Sequence, residues 1–152
     1  DFKYIGLDLF EKNDETKAEI IPNTNFSNPL KNIYFKYIKK IDPYTIEAVE
    51  DLLKKFKSNV HLIKGNSNIV LKKIDMSKID YVFLDGGHEY NTVKNDLKNC
   101  VDVLKNGGTI LCDDYNLSYA PGVKKAIDEF VKENNYKCEI LLNSRFAKIE
   151  KK

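Results

Sequence analysis

The stretch Asp80–Tyr90, DYVFLDGGHEY, decides how the chain folds. An apolar run, Tyr81-Val-Phe-Leu84, stops abruptly at Asp85-Gly-Gly-His88. That pattern predicts a buried parallel strand that delivers polar side chains to a loop at its carboxyl end. In open α/β sheets that edge is where ligands bind. A second stretch, Thr109-Ile-Leu-Cys-Asp-Asp-Tyr115, ends in the same way with Asp113-Asp114. Two neighbouring strands ending in carboxylates, with a histidine beside them, can build a metal and acid/base site.

Outward from these strands, helix and strand patterns alternate. Tyr4–Leu9 reads as a short strand ending in Asp8. Asp42-Pro43 reads as a helix start, followed by Ile46, Val49, Leu52, Leu53 and Phe56 on one face. Val60–Ile63 is a strand, Gly65-Asn66-Ser67 part of a turn, and Ile69–Lys73 a short helix. Val93, Leu97, Cys100, Val101 and Leu104 mark an amphipathic helix that Asn106-Gly107-Gly108 should stop. A last helix runs from Pro121-Gly122 to Asn134-Asn135. Cys138–Leu142 and Phe146–Ile149 then form a closing antiparallel pair. The order predicts an α/β fold of Rossmann-like type: a mainly parallel sheet, helices on both faces, and a C-terminal antiparallel strand pair.

Residues 10–41 break the alternation. They are asparagine-rich and studded with aromatics, and an insertion this long is uncommon in a compact domain. It reads either as a lid over a site or as a covering segment away from the chemistry.

The chain has 152 residues, enough for one domain with a core, and a formal net charge of only +2. Lysines are interspersed with acids, so no field points to nucleic acid. The three cysteines show no CxxC spacing and read as small buried hydrophobes in a reducing compartment. No apolar run approaches the roughly 20 residues that span a bilayer, and the opening Asp1-Phe2-Lys3 does not read as the n-region and h-region of a signal peptide. These features predict a cytoplasmic location.

The spaced pattern from Asp80 to Phe130 resembles the class I S-adenosylmethionine-dependent methyltransferases. Its elements are strand, Asp-Gly-x-His-x-Tyr, helix, Gly-Gly, strand, Asp-Asp and Gly-Val-Lys-x-Ala. It is most similar to the macrocin O-methyltransferase-like branch, itself akin to the catechol O-methyltransferase type. The resemblance implies S-adenosyl-L-methionine as cofactor and roles for named residues. Asp8 would accept hydrogen bonds from the ribose hydroxyls, with loop capping as the structural alternative. Gly65, Asn66 and Ser67 would border the adenine, or form a plain turn. Asp85, Asp113 and Asp114 match metal-ligand positions suited to Mg²⁺ or a similar divalent cation. No basic partner for these three acids stands out in the sequence, and one of the Asp113-Asp114 pair can instead cap its own segment. Asp85 also counts among the cofactor-binding and catalytic residues. His88 would be the general base that takes the acceptor's proton.

The same resemblance exposes a departure. Members open with a strand and a glycine-rich turn that cradles the methionine end of the cofactor, and this chain shows neither. The expectation is an N-terminally truncated single domain, residues 1–152, that binds the cofactor weakly by itself. The function expected is metal-assisted methyl transfer to a hydroxyl of a small acceptor, a sugar or glycoside first. The alternative is a decayed, non-catalytic module acting in interactions. A metal-dependent hydrolase ranks last, because no Walker-type or Gly-x-Ser-x-Gly pattern is present. The partner expected is the small acceptor, with self-assembly into a homo-oligomer left open and neither nucleic acid nor membrane included.

Overall fold

The computed structural model describes residues 2–10, 28–39, 45–73 and 79–152. The chain divides into two compact units, Asp1–Asn66 and Ser67–Lys152.

In the first unit, strands β1 (Tyr4–Asp8) and β2 (Val60–Lys64) pair in parallel, from Tyr4 opposite Val60 to Asp8 opposite Lys64. The pair is closed at its carboxyl end by the Gly65 N–H, which donates to the Asp8 carbonyl at 2.9 Å. Helix α1 (Pro29–Ile33) is capped by Asn28, whose side chain accepts the Leu30 N–H, and it runs into a π-helical turn over Tyr34–Lys39. These helical residues fall inside the predicted 10–41 insertion; most of that insertion lies outside the described residues. Helix α2 (Ile46–Leu53) starts later than Asp42-Pro43 predicted. Thr45 is its cap, with Oγ1 accepting the Ala48 N–H at 3.4 Å, and residues 42–43 are outside the described residues. Its apolar face is less buried than the pattern suggests: Leu52 is 77% exposed.

The second unit holds the core. Its elements are α3 (Ser67–Val70), β3 (Ile79–Leu84), α4 (Tyr90–Val103), β4 (Leu104–Cys112), α5 (Pro121–Asn134), β5 (Lys137–Leu141) and β6 (Phe146–Glu150). The sheet order is β3-β4-β6-β5, with β3 and β4 parallel and the other neighbours antiparallel. Side chains alternate across a strand, and the pairing lines up the inward set: Ile110 opposite Ile149, and Cys112 opposite Ala147, all buried. Val93, Leu97 and Cys100 of α4 and Val123, Ala126, Ile127 and Phe130 of α5 join them in one buried cluster. Both helices therefore cover the same face. The opposite side of β3 shows Tyr81 and Phe83, each more than half exposed, with Phe83 near the Phe146 ring.

Two local expectations change. Leu104 does not belong to the α4 face; its φ of −82° and ψ of 134° are extended, and it begins β4. Asn106-Gly107-Gly108 does not end a helix but forms an irregularity inside β4, where the register to β3 shifts between Ile79 and Tyr81. Gly107 sits at φ 74°, a conformation that favours glycine. Any Cβ on Gly108 would fall 2.7 Å from the Leu104 side chain. The bulge lets the buried strand twist while Gly107 and Gly108 exchange hydrogen bonds with Lys151. Helix α5 behaves as read, with Pro121 in the first turn and Asn135 in the left-handed conformation at its end.

Because, among the described residues, the buried side chains lie between residues 93 and 149, truncations there should dominate stability. Ile110→Ala should cost about 2–5 kcal/mol and Leu52→Ala no more than about 0.5 kcal/mol. Urea denaturation of the two variants checks this; equal losses would contradict the assignment of the core.

Candidate functional site

Parallel pairing sets the site. Leu84 and Cys112 are register partners, so the residues that follow them, Asp85 and Asp113, leave the sheet side by side. The Asp113 N–H donates to the Leu84 carbonyl at 3.0 Å, which ties the two strand ends together. Beyond Asp85, the Gly-Gly turn brings His88 back. Its Nε2 lies 3.1 Å from Asp114 Oδ2. Asp114 reaches that position from a left-handed backbone, φ 60°. An aspartate tolerates that conformation better than most residues, at some cost in strain.

The carboxylates have a partner that sequence reasoning missed. Arg145 forks onto Asp113, Nε to Oδ1 and Nη2 to Oδ2, each at 3.0 Å. Asp113 Oδ1 also accepts the Asp114 N–H at 2.7 Å, so Asp113 is the one that caps its own segment. The guanidinium beside Asp113 holds its carboxyl below the usual carboxylate range. Asp85 moves the other way. Partial burial raises it most, although much of the residue stays open to solvent, and the like charges of Asp113 and Asp114 act in the same direction.

This arrangement does not support the metal expectation. Among the described residues, no group of three His, Cys, Asp or Glu side chains is placed to hold a metal ion. Both Asp113 oxygens are engaged by Arg145, and Asp114 Oδ2 faces His88. Asp85, Asp113 and Asp114 are therefore neighbours but not an open Mg²⁺ ligand set as they stand.

A second missed residue is Asp96 of α4. It is buried and accepts the Ser67 hydroxyl on Oδ1 at 2.7 Å, so the Ser67 side chain is committed to α4. A Cβ on Gly86 would lie 3.0 Å from Asp96 Oδ2, so the turn after Asp85 packs tightly against that carboxylate. Gly122 plays the same part from α5: its Cβ would meet the Tyr90 nitrogen at 2.8 Å and the His88 carbonyl at 2.9 Å. The residues Asp85, Gly86, His88, Asp96, Asp113 and Asp114 line a cavity of about 20 Å³, water-sized. In the other unit, Asp8 is exposed at the end of β1, next to Gly65, and its Oδ1 accepts the Phe10 N–H at 2.9 Å. That is a local cap, and it engages one oxygen. Cys100 and Cys112 are buried free thiols whose pKa values are raised by burial, that of Cys100 to about 12. They are packing residues.

Residues 2–115 match the family described as "Methyltransferase domain". The chain belongs to the methyltransferase domain family. An uncharacterized protein of Acanthamoeba polyphaga mimivirus is 32% identical, over 87% of this chain and 69% of that protein. Among solved structures, the O-methyltransferase NovP superposes with a TM-score of 0.66 at 16% identity, covering 98% of this chain and 60% of NovP. The Podospora anserina methyltransferase PaMTH1, solved with SAH bound, gives 0.57 at 17% identity, covering 99% of this chain and 71% of PaMTH1. At these identities the structural likeness is one of fold, and this methyltransferase domain spans 60% of the length of NovP. No helix among the described residues is long and apolar enough to cross a membrane.

The two neighbouring carboxylates should respond to pH with opposite signs. Asp113, depressed in the fold, adds stability above its ordinary value of 3.8 and loses it as pH falls through the lower folded value. Asp85, raised, favours the fold below 3.8 and costs stability as pH rises through its folded value. At neutral pH, Asp85→Asn should melt higher than the wild type and Asp113→Asn lower. Both differences should shrink in acid. Thermal melts across the acid range check this, and shifts of the same sign would contradict the assignment.

Proposed function

We propose that this methyltransferase domain takes part in S-adenosyl-L-methionine-dependent O-methylation of a small hydroxylated acceptor, a sugar or glycoside first. The observation that carries the reading is the His88–Asp114 pair held beside Asp85 at the carboxyl edge of β3 and β4. Family membership supports methyl transfer, and the neighbour with bound SAH supports the cofactor class.

Asp8, Gly65 and Asn66 are the residues that would hold the nucleoside end of the cofactor. The exposed Asp8 carboxylate suits a ribose diol, because a carboxylate is acceptor-only. When bound, S-adenosylmethionine supplies an electrophilic methyl on a positively charged sulfur. The chain's own residues would do the rest. In the tautomer whose Nε2 donates to Asp114, the His88 ring carries its acceptor lone pair on Nδ1. That nitrogen takes the acceptor's hydroxyl proton as the oxygen–methyl bond forms and the sulfur–methyl bond breaks. The Asp114 carboxylate then stabilises the imidazolium. Asp85 adds negative potential beside the same ring. Because the three acids are not an open ligand set, no step is routed through a metal. Positioning of oxygen and methyl in line supplies most of the rate, with the base adding a further factor.

A methyl-transfer assay with labelled donor against a panel of sugars, glycosides and phenols tests this, on the protein carrying its full natural flanks. His88→Gln should lower kcat about 10²–10⁴-fold with little change in donor affinity. Asp8→Asn should weaken SAH binding in calorimetry while leaving the melt unchanged. Transfer that persists in His88→Gln removes the base from the reading. No transfer to any hydroxyl acceptor, with SAH bound, favours the non-catalytic module.

A further inference from the structure

Arg145 is the only arginine in the chain, among 25 basic residues. It sits in the turn between β5 and β6, and the turn is built to hold it. Leu142, Asn143 and Ser144 take φ values of 48°, 54° and 68°, a left-handed run of non-glycine residues. Such a run carries strain that the surroundings must over-determine. The Arg145 N–H closes the turn on the Leu142 carbonyl at 3.1 Å, and its own carbonyl accepts the Tyr115 N–H at 2.9 Å. The guanidinium carbon lies 5.0 Å from the Phe146 ring centroid. The side chain is 60% exposed, whereas the Asp113 side chain it grips is 8% exposed. Backbone, ring and fork together fix the cation on a buried carboxylate.

We propose that Arg145 is the resident cation of this site: by closing its fork on Asp113 it takes the place a divalent ion would need, and the two occupants exclude each other. A divalent ion needs open carboxylate lone pairs. Asp113 offers no bidentate face, since Oδ1 accepts from Arg145 and Asp114 and Oδ2 from Arg145, which leaves a single lone pair on Oδ2. An entering ion would also meet a fixed positive charge. Loss of the guanidinium would remove that repulsion, free Asp113 Oδ2 entirely and leave Oδ1 with only the Asp114 N–H. A lysine there keeps the charge without the fork.

The inference concerns the residues used in the proposed reaction but not the reaction. It is read by cation binding without donor or acceptor, so either can fail while the other stands. The experiment is Mn²⁺ titration of the whole chain followed by the loss of the free-ion EPR signal, with Mg²⁺ as competitor and circular dichroism on each variant. The wild type should leave the signal intact. Arg145→Gln should bind Mn²⁺ at least about tenfold more tightly, the lower bound expected from Coulomb repulsion under full water screening. Arg145→Lys should stay close to the wild type, and adding Asp113→Asn to Arg145→Gln should abolish the gain. Wild-type uptake that Asp113→Asn removes would overturn the proposal, whatever the variants' stability. So would a folded Arg145→Gln protein that gains no Mn²⁺.

Discussion

Two parallel strands that end in acids place like charges within reach of one another, and a fixed cation offsets part of that repulsion. The offset is the Arg145–Asp113 fork. It depends on the core behind it. Ile110 and Cys112 of β4 face Ile149 and Ala147 of β6, and a slip of one residue would turn that whole set outward. Buried apolar register therefore determines where the turn before β6 arrives, and hence where the guanidinium meets the carboxylate. Charge placement here is a consequence of packing.

The same edge shows where the fold accepts cost. Asp114 and the residues 142–144 adopt left-handed backbone without glycine. Asp85 is pushed up by partial burial and by its acidic neighbours. Gly86 is packed closely against Asp96, and a methyl group on Gly122 would collide with the backbone at 88–90. Two of these costs bear on the loop His88–Tyr90: Asp114 faces the His88 ring, and Gly122 lets α5 approach the backbone at 88–90. A rigid loop is what a positioned acid/base group needs, since small misplacements are expensive in catalysis. Strain of this kind persists where the surrounding structure repays it.

How far the sequence could be read follows from the range of the interactions. The strand ends at Asp85 and Asp113-Asp114, the long helices α4 and α5, and the terminal hairpin were legible, because apolar periodicity and turn residues are local signals. What escaped was long-range or ambiguous. Arg145 lies 32 residues from Asp113, and nothing in a turn sequence announces which acid its side chain reaches. Ser67 and Asp96 lie 29 residues apart, so a serine in an apparent turn gave no sign of its commitment to α4. Asn106-Gly107-Gly108 has the composition of a helix stop, and only pairing with β3 reveals a bulge inside a strand. The one available signal for Arg145 was its singularity among so many lysines.

That singularity bears on mechanism. A lysine at position 145 would bring a hydrated point charge on a flexible stem, free to move among three carboxylates. A guanidinium brings a planar fork that matches a single carboxylate and fixes its orientation. Choosing Asp113 leaves Asp114 for His88 and leaves Asp85 with its raised pKa, so one pairing sorts three similar acids into three different environments. Neither the formal net charge of +2 nor the count of basic residues carries this information. A dication would hold several of the acids alike, whereas a fork committed to one makes them different, and that difference leaves His88 with a single carboxylate partner at 3.1 Å.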